Sequence, residues 1–203
     1  SAARPRTAAA VRPATPVRSD PRPMEIETER LRLRHYALED ADAQLRIMTD
    51  PEFMRRIGPQ FVPPTRDQVL VGLGRIDEHW RRLGYGQWAL ELKGEGRLFG
   101  YCGLRHMIPT DEVELYYGAD PAYWGRGLVT EAARAALRYG FRRAGLARVM
   151  AVTDENNQWS RRVMERCGLR YERDDFYFGV PVVYYALNRE DYEPDGSPYL
   201  ERG

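Results

Sequence analysis

The sequence predicts a mixed α/β domain in which helices cover both faces of a single β-sheet. From residue 30 to residue 188, segments with two-residue hydrophobic periodicity alternate with segments of helical spacing. A chain of 203 residues with 43% hydrophobic content can bury one core of ordinary size. The order strand, two helices, three strands, helix, strand, helix, two strands therefore predicts one α/β domain with a mixed sheet.

The N-terminal half of this pattern consists of a strand and two helices. Arg30–Arg34 alternates arginine with leucine, which predicts a half-buried strand. Leu38–Met48 has helical spacing, and the following Asp50-Pro51 predicts the end of that helix. Thr65 is a candidate N-cap for a second helix that ends at Gly84. The apolar residues of this second helix are Val69, Leu73, Ile76 and Trp80.

Three strands then precede the longest predicted helix. The strands are Tyr85–Leu92, Leu98–Met107 and Glu112–Tyr117, and Lys93–Gly96 forms a hairpin turn between the first two. Residues 125–143 form an amphipathic helix. Its apolar face holds Val129, Ala132, Ala133, Ala136, Leu137 and Gly140.

The C-terminal part of the domain combines a strand, a helix and a pair of strands. Leu146–Val152 is a short apolar strand, and Asn157–Arg166 is a helix that ends at Gly168. The last two strands lie near Tyr171–Phe178 and Val182–Asn188. Because the last strand is apolar on both faces, it is either covered by helices or packed against a second copy, and we favour a homodimer.

Both ends of the chain differ in composition from the predicted domain, residues 24–193. Residues 1–23 contain five prolines and five arginines against one aspartate, and they contain no aromatic residue. This composition predicts a disordered basic leader, because such a segment buries little apolar surface. Residues 194–203 are predicted to form a loose tail.

Composition argues against several kinds of function. The formal net charge of +1 does not favour nucleic acid as a partner, and no apolar run predicts a membrane span or an export signal. Lys93 is the only lysine, and it does not stand in a phosphate-binding loop. Cys102 and Cys167 stand apart and the three histidines are scattered. We therefore expect no metal site, no disulfide and a cytoplasmic location.

Two glycines stand where the third predicted strand gives way to the long helix. Gly125 and Gly127 fall within Tyr123–Ala132, and a helix start offers free backbone N–H groups and a positive dipole end. Arg126 adds charge and Thr130 adds a hydroxyl group, so the segment predicts a cradle for a diphosphate. The alternative is a tight turn between helix and sheet. A dinucleotide fingerprint would require glycine at position 130.

Asn157 and Ser160 open the next predicted helix, directly after a strand. Asparagine suits an N-cap, and its amide can also donate to a carbonyl group. Ser160 lies one turn further along the same side of the helix. The alternative interpretation is that Asn157 only caps the helix.

Together, the two segments resemble the acetyl-coenzyme A site of the GNAT superfamily of N-acetyltransferases, most closely the branch that acetylates ribosomal-protein N-termini. The likeness covers roughly residues 24–193. It is carried by Thr28–Arg34, Thr49–Met54, Trp124–Gly127 with Glu131-Ala132, Asn157-x-x-Ser160 and Met164–Leu169. One departure is Ala122, where the family often has Gln or Arg, so that phosphate contact is either lost or replaced by Arg126.

The resemblance implies a curved, mixed, mostly antiparallel sheet that opens between Glu112–Tyr117 and Leu146–Val152. The pantetheine arm of acetyl-CoA, the implied acyl donor, would enter this opening, and its diphosphate would lie on the amides of the glycine segment. No metal is implied. The implied coenzyme-binding residues are Leu115, Tyr117, Trp124, Gly125, Arg126, Gly127, Leu128, Thr130, Asn157 and Ser160.

Transfer to an amine requires a base, because amines are mostly protonated near neutral pH. Glu114 lies nearer the expected opening than Glu112, so we predict Glu114 as the base; the alternative is a surface carboxylate at a sheet edge. Ser160 is predicted to stabilise the leaving thiolate by a hydrogen bond, and Tyr171 is a weaker candidate. A backbone N–H of Leu115–Tyr117 is predicted to stabilise the developing oxyanion.

The acceptor pocket is less clearly marked, since aromatic residues belong to the core more often than they contact ligands. The candidate lining residues are Phe61, Tyr85, Trp88 and Tyr177. Arg55 and Arg56 could attract an acidic acceptor, but we interpret them as a solvated pair. The expected acceptor is a primary amine, on a protein N-terminus or a small molecule. The alternative function is an acyl-CoA-binding sensor or partner module without transferase activity, and Glu114 favours the enzyme.

Overall fold

The structure is a computed structural model that describes residues 24–58, 61–108, 110–177 and 179–202. The predicted leader, residues 1–23, lies outside the described residues. Within the described ranges, five α-helices and nine strands follow one another along the chain. None of these helices combines the length and the apolar character that crossing a bilayer requires.

The predicted elements are present, with small changes at their ends and three additions. The strands are β1 (Glu25–Glu27), β2 (Leu31–Arg34), β3 (Gln87–Leu92), β4 (Leu98–Met107), β5 (Glu112–Ala119), β6 (Arg148–Thr153), β7 (Arg170–Tyr177), β8 (Val180–Asn188) and β9 (Leu200–Arg202). The α-helices are α1 (Ala41–Thr49), α2 (Pro51–Ile57), α3 (Arg66–Leu83), α4 (Leu128–Arg142) and α5 (Gln158–Arg166). The additions are β1, α2 and β9.

The strands of the described part form one nine-stranded sheet in the order β7-β8-β6-β5-β4-β3-β2-β1-β9. Neighbouring strands are antiparallel except β5 and β6, which are parallel. β4 and β5 pair at eight positions, whereas β5 and β6 pair only at Glu114 and Met150. Beyond Glu114 the sheet opens, which confirms the predicted position of the split.

Helices cover both faces of the sheet. On one face, Trp88 and Leu90 of β3 pack with α4 in the main hydrophobic core. On the other face, Ala89 packs with Ile47 of α1 and Phe53 of α2. Neighbouring residues of β3 therefore contact opposite helical layers, as the two-residue period of a strand requires.

α2 is a helix that the sequence pattern did not predict. Asp50 ends α1, but its carboxylate also accepts the N–H groups of Glu52 and Phe53, at 2.8 and 3.0 Å. Pro51 takes the first helical position, where its missing N–H costs nothing. Asp50-Pro51 therefore ends α1 and also starts α2, because a side-chain N-cap followed by proline favours a new helix.

The C-terminal segment does not form the loose tail that was expected after Pro194. Leu200–Arg202 forms β9, which pairs antiparallel with β1. Before it, Asp195 forms an ion pair with Arg134 of α4 at 2.9 Å. The segment after Pro194 is therefore attached to the domain, and a three-residue strand has too little periodicity to be predicted.

The chain itself covers both faces of β8. Val183 and Leu187 belong to the main core, whereas Tyr184 and Ala186 pack with Met150 on the opposite face. β8 also lies between β6 and β7, so both of its edges are paired. The apolar pattern that favoured a homodimer is thus explained within one chain, and the homodimer stays a prediction.

Candidate functional site

A cavity of about 480 Å³ lies where β5 and β6 separate. Its walls come from β5 between Glu114 and Ala119, from α2, from the start of α5, from Val180 and Val182 of β8, and from Trp124 in the loop before α4. Beyond Glu114, the edge of β5 on this side has no strand partner among the described residues. An extended ligand can therefore pair with β5 as an added strand does.

The loop before α4 has the geometry predicted for an anion cradle. Gly125 and Gly127 have φ angles of +73° and +75°, a left-handed conformation that glycine adopts without strain. Gly127 is the N-cap of α4, so no capping side chain covers the N–H groups of the first turn. Trp124 Nε1 donates to the Ala119 carbonyl oxygen at 2.8 Å and fixes the loop to the end of β5.

Thr28 and Arg30 attach the start of α4 to the turn between β1 and β2. Thr28 Oγ1 donates to the Glu131 carboxylate at 2.6 Å, and Arg30 forms an ion pair with Glu131 at 2.7 Å. Arg30 Nη1 also donates to the Arg126 carbonyl oxygen at 2.9 Å. These contacts give a physical reason for the motif Thr28–Arg34 to occur together with the distant motif around Gly127 and Glu131.

Asn157 begins α5 as predicted and connects it to two other parts of the cavity. Its Oδ1 accepts the Ser160 N–H at 3.2 Å, which agrees with an N-cap. Its Nδ2 donates to the Arg56 carbonyl oxygen at 3.4 Å, so it also links α5 to α2. Ser160 is 6% exposed, and its Oγ lies 3.1 Å from the Tyr117 hydroxyl. Burial raises the pKa of Tyr117, which keeps that hydroxyl protonated.

Glu114 lies where the two strands separate, and the structure rejects its interpretation as a surface carboxylate. It is 4% exposed, lines the cavity and forms an ion pair with Arg105. Burial raises the pKa of Glu114, and Arg105 opposes that rise. Glu112, in contrast, accepts hydrogen bonds from the hydroxyls of Tyr177 and Tyr184, both at 2.6 Å, and both of its oxygens are engaged.

Of the four aromatic residues predicted to line an acceptor pocket, Phe61 lines this cavity. The prediction is wrong for Trp88 and Tyr85, which are buried in the main core. Trp88 lies on the α4 face because the alternation along β3 turns it away from Ala89 and α2. Tyr177 donates to Glu112 and is not among the residues that line the cavity.

Three other predicted side chains lie outside the cavity. The Arg126 guanidinium carbon lies 5.4 Å from the ring centroid of Tyr123, although the Arg126 amide remains in the cradle loop. Thr130 is 9% exposed and borders a separate groove along α4. Tyr171 is 49% exposed on β7.

Two side chains that line the cavity were not predicted to act there. The sequence analysis assigned only the backbone of Tyr117 to the site, yet its hydroxyl contacts Ser160. The alternation along β5, which places Leu115 and Tyr117 on the α5 face, could have identified it. Arg56 was interpreted as solvated, but it lines the cavity because α2 lies across this part of the sheet. No local pattern identifies Arg56, since α2 itself was not predicted.

The described residues contain no group of three or more His, Cys, Asp or Glu that could hold a metal ion. Cys102 and Cys167 are buried thiols. Burial raises the pKa of both, which makes them poor nucleophiles. The chemistry of the cavity therefore rests on a carboxylate, hydroxyl groups and backbone amides.

Comparison with known proteins gives consistent results. The family model described as acetyltransferase (GNAT) domain matches residues 30–170. The FsC-acetyl coenzyme A-N(2)-transacetylase of Aspergillus fumigatus is 28% identical over 198 residues, which cover 87% of this chain and 81% of that protein. A GNAT-family acetyltransferase structure from Bacillus anthracis is 27% identical with a TM-score of 0.70, over 82% of this chain and 99% of its own. RimL, a ribosomal L7/L12 alpha-N-protein acetyltransferase solved with coenzyme A, shares the fold, with 16% identity and a TM-score of 0.67 over 79% of this chain and 95% of its own.

Proposed function

Because the chain belongs to the GNAT acetyltransferase family, we propose that it transfers an acetyl group from acetyl-CoA to a primary amine. The observation that carries the proposal is the cavity at the opening of the sheet, which is lined by Glu114, Ser160 and Trp124 of the cradle loop. The backbone around the cavity fits acetyl-CoA. The unpaired edge of β5 suits its extended, amide-containing pantetheine arm, and the start of α4 suits its diphosphate. Bound acetyl-CoA supplies the activated acyl group.

The cavity extends to both faces of the sheet through the opening. Tyr117 and Ser160 lie on the α5 face, where they contact each other. Glu114 and Tyr116 alternate with Tyr117 along β5, and Tyr116 packs near Tyr101 on the α2 face. In our proposal, the donor therefore lies against α5, and the acceptor amine approaches from the side of α2.

Glu114 is proposed to accept the proton that the acceptor amine must lose. A lysine-type amine has a pKa of about 10.4 and an α-amine one of about 7.7–8.0, so both are mostly protonated near neutral pH. Burial raises the pKa of Glu114, which makes it a stronger base than an exposed glutamate, while Arg105 favours its ionised form. The proton passes to a carboxylate oxygen, directly or through one water molecule.

Ser160 is proposed to donate a hydrogen bond to the sulfur as the thiolate leaves. The Tyr117 hydroxyl lies 3.1 Å from both Ser160 Oγ and the Ser160 carbonyl oxygen, and its one hydrogen can be donated to either. In the arrangement that we propose, Tyr117 donates to Ser160 Oγ, so the serine hydrogen is left to point at the sulfur. Hydrogen bonds to a charged acceptor are stronger than those to a neutral one, so this contact favours the departing thiolate over the intact thioester.

The proposal is tested by acetyl transfer to a mixed pool of peptides and small amines, followed by mass spectrometry. Relatives are named for different acceptors, FsC and ribosomal L7/L12, so the pool includes both peptide N-termini and small amines. We expect an acetylated amine and free coenzyme A, at a rate that the Glu114→Gln substitution lowers. Coenzyme binding in calorimetry without any acetylated product would instead favour a binding module, and no coenzyme binding would overturn the proposal.

A further inference from the structure

One cation that lines the cavity has no part in the chemistry described above. The guanidinium carbon of Arg56 lies 3.9 Å from the ring centroid of Trp124 and 5.7 Å from that of Trp159. The two indole rings are 6.2 Å apart. Arg56 therefore stacks on Trp124 beside Trp159, and all three side chains line the cavity.

The backbone around Arg56 is held at both ends. Asp50 caps the start of α2, and Asn157 Nδ2 donates to the Arg56 carbonyl oxygen at 3.4 Å. The side chain then reaches Trp124, which directly precedes Gly125 in the cradle loop. Arg56 is thus the point at which α2, the cradle loop and the start of α5 meet.

Arg56 carries a positive charge that no carboxylate of the described residues neutralises by an ion pair. The other arginine that lines the cavity, Arg105, is paired with Glu114. Arg126, the cation predicted from the sequence, lies over Tyr123 and does not line the cavity. An unneutralised guanidinium therefore lies beside a loop of backbone amides, and both favour an anion.

We propose that Arg56 binds the diphosphate of acetyl-CoA and determines specificity for donors that carry a diphosphate. This inference rests on the proposed function and adds a side chain from α2 to a cradle of backbone amides. The guanidinium edge would supply two parallel N–H groups to phosphate oxygens, which is the geometry that arginine offers to phosphate.

The stack on Trp124 explains why arginine suits this position better than lysine. A guanidinium is planar and weakly hydrated, so its face can lie on an indole ring while the N–H groups at its edge remain available. An ammonium group keeps the charge but loses the flat contact and the paired donors. Arg56→Lys is therefore expected to recover only part of the effect.

The test compares Arg56→Gln, Arg56→Lys and the matched control Arg55→Gln, whose side chain is exposed on the same helix. Dissociation constants are measured by calorimetry for coenzyme A, for 3′-dephospho-coenzyme A, which keeps the diphosphate, and for pantetheine, which lacks it. We expect Arg56→Gln to raise the dissociation constants of both diphosphate ligands about tenfold or more, because one charge-assisted contact is lost. The dissociation constant of pantetheine should remain almost unchanged. Arg55→Gln should bind all three ligands as the unchanged chain does.

Several outcomes would overturn the inference. An equal loss for all three ligands would mean that Arg56 acts through packing, and a loss for coenzyme A alone would assign it to the 3′-phosphate. Unchanged coenzyme binding by Arg56→Gln would contradict the role of Arg56 and leave the proposed function intact, whereas no binding by the unchanged chain would overturn both. If Arg56→Gln does not fold, Arg56→Lys takes its place, with a loss still expected only for the diphosphate ligands.

Discussion

At the scale of single residues, Glu114 decides how the proposed proton transfer depends on pH. Burial raises its pKa, and only its ionised form can accept a proton from the amine. We therefore expect kcat/KM to rise with pH as Glu114 loses its proton, and Glu114→Gln to remove that rise. The substitution should lower kcat about a hundredfold, the usual contribution of a positioned base, as measured in a pH series of initial rates.

Two further variants separate the base from its surroundings. Arg105→Gln should move the acid limb of the profile to higher pH, because Arg105 lowers the pKa of Glu114. Glu112→Gln should move the limb only slightly, to lower pH, because the charge of Glu112 is the smallest of the causes that act on the pKa of Glu114 and it raises that pKa. A limb that survives in Glu114→Gln would show that another group accepts the proton.

Ser160 and Tyr117 form the second residue-scale prediction. Removing one hydrogen bond to a developing thiolate should lower kcat about tenfold to a hundredfold in Ser160→Ala, with coenzyme affinity nearly unchanged. Tyr117→Phe should cause a smaller loss, and the double variant should lose less than the two single losses combined, because the hydroxyls contact each other. An unchanged kcat in Ser160→Ala would reject this role.

At the scale of elements, the loop before α4 depends on backbone that side chains rarely adopt. Gly127→Ala places a methyl group on backbone with φ +75°. Among the described residues that do not adjoin Gly127, only Arg30 lies within 4 Å of that methyl group, at 3.7 Å. Left-handed backbone costs a residue other than glycine about 1–2 kcal/mol, so we expect a stability loss of that size. Gly127→Ala should also weaken coenzyme binding, because an alanine strained at this φ shifts the amides on which the diphosphate is proposed to lie.

Gly94→Ala is the matched control for that prediction. Gly94 has φ +87° in the turn between β3 and β4, and apart from its chain neighbours no residue that the structure describes has an atom within 4 Å of an added methyl group. It should lose similar stability in thermal unfolding but bind coenzyme A normally in calorimetry. If Gly127→Ala also binds normally, the cradle does not hold the diphosphate.

The loop before α4 and the start of α5 could be predicted from the sequence, whereas α2 and β9 could not. Gly125, Gly127 and Asn157 act through local backbone geometry, so their residue types alone indicated a cradle and an N-cap. The position of α2 depends instead on tertiary packing of Phe53 against the sheet, and β9 depends on pairing with β1 at the other end of the chain. Periodicity within a short window carries neither kind of information.

At the scale of the whole molecule, two half-buried histidines should make stability depend on pH. The Nε2 atoms of His35 and His79 are buried and have no hydrogen-bond partner in the described structure. Burial lowers the pKa of each to about 4, although Asp77 slightly opposes this for His35, whereas His106 and Arg82 add to it for His79. In the unfolded chain a histidine has a pKa of about 6.5, so that state binds more protons between these values.

Between these two pKa values, the free energy of unfolding should therefore rise with pH. The stabilising contribution of neutral His35 and His79 is fully present above about pH 6.5 and is lost as the pH falls toward about 4. We expect the Tm of the unchanged chain to fall between about pH 6.5 and pH 5, a range that lies above the usual titration of most carboxylates. His35→Gln and His79→Gln should each make that fall less steep in calorimetric scans, and equal slopes would contradict the prediction.

The architecture as a whole was more predictable than the acceptor side of its cavity. Strand and helix order and the start of α4 follow from periodicity and from motifs at element ends, whereas the opening beside Glu114 was implied by the resemblance to the GNAT family. Trp88 was placed wrongly because the alternation along β3 shows that Trp88 and Ala89 face opposite sides but does not reveal which side faces α2. The role of Arg56 required the position of α2, which only the assembled structure provides.

The single strand contact between Glu114 and Met150 leaves the sheet in two parts, β9-β1-β2-β3-β4-β5 and β7-β8-β6. A donor lying in the gap would supply the missing row of hydrogen bonds between these two parts. Binding of coenzyme A should then connect the two parts of the sheet and slow deuterium uptake at amides 115–119 and along β6 together. Protection confined to the loop before α4 would mean that the gap remains unbridged.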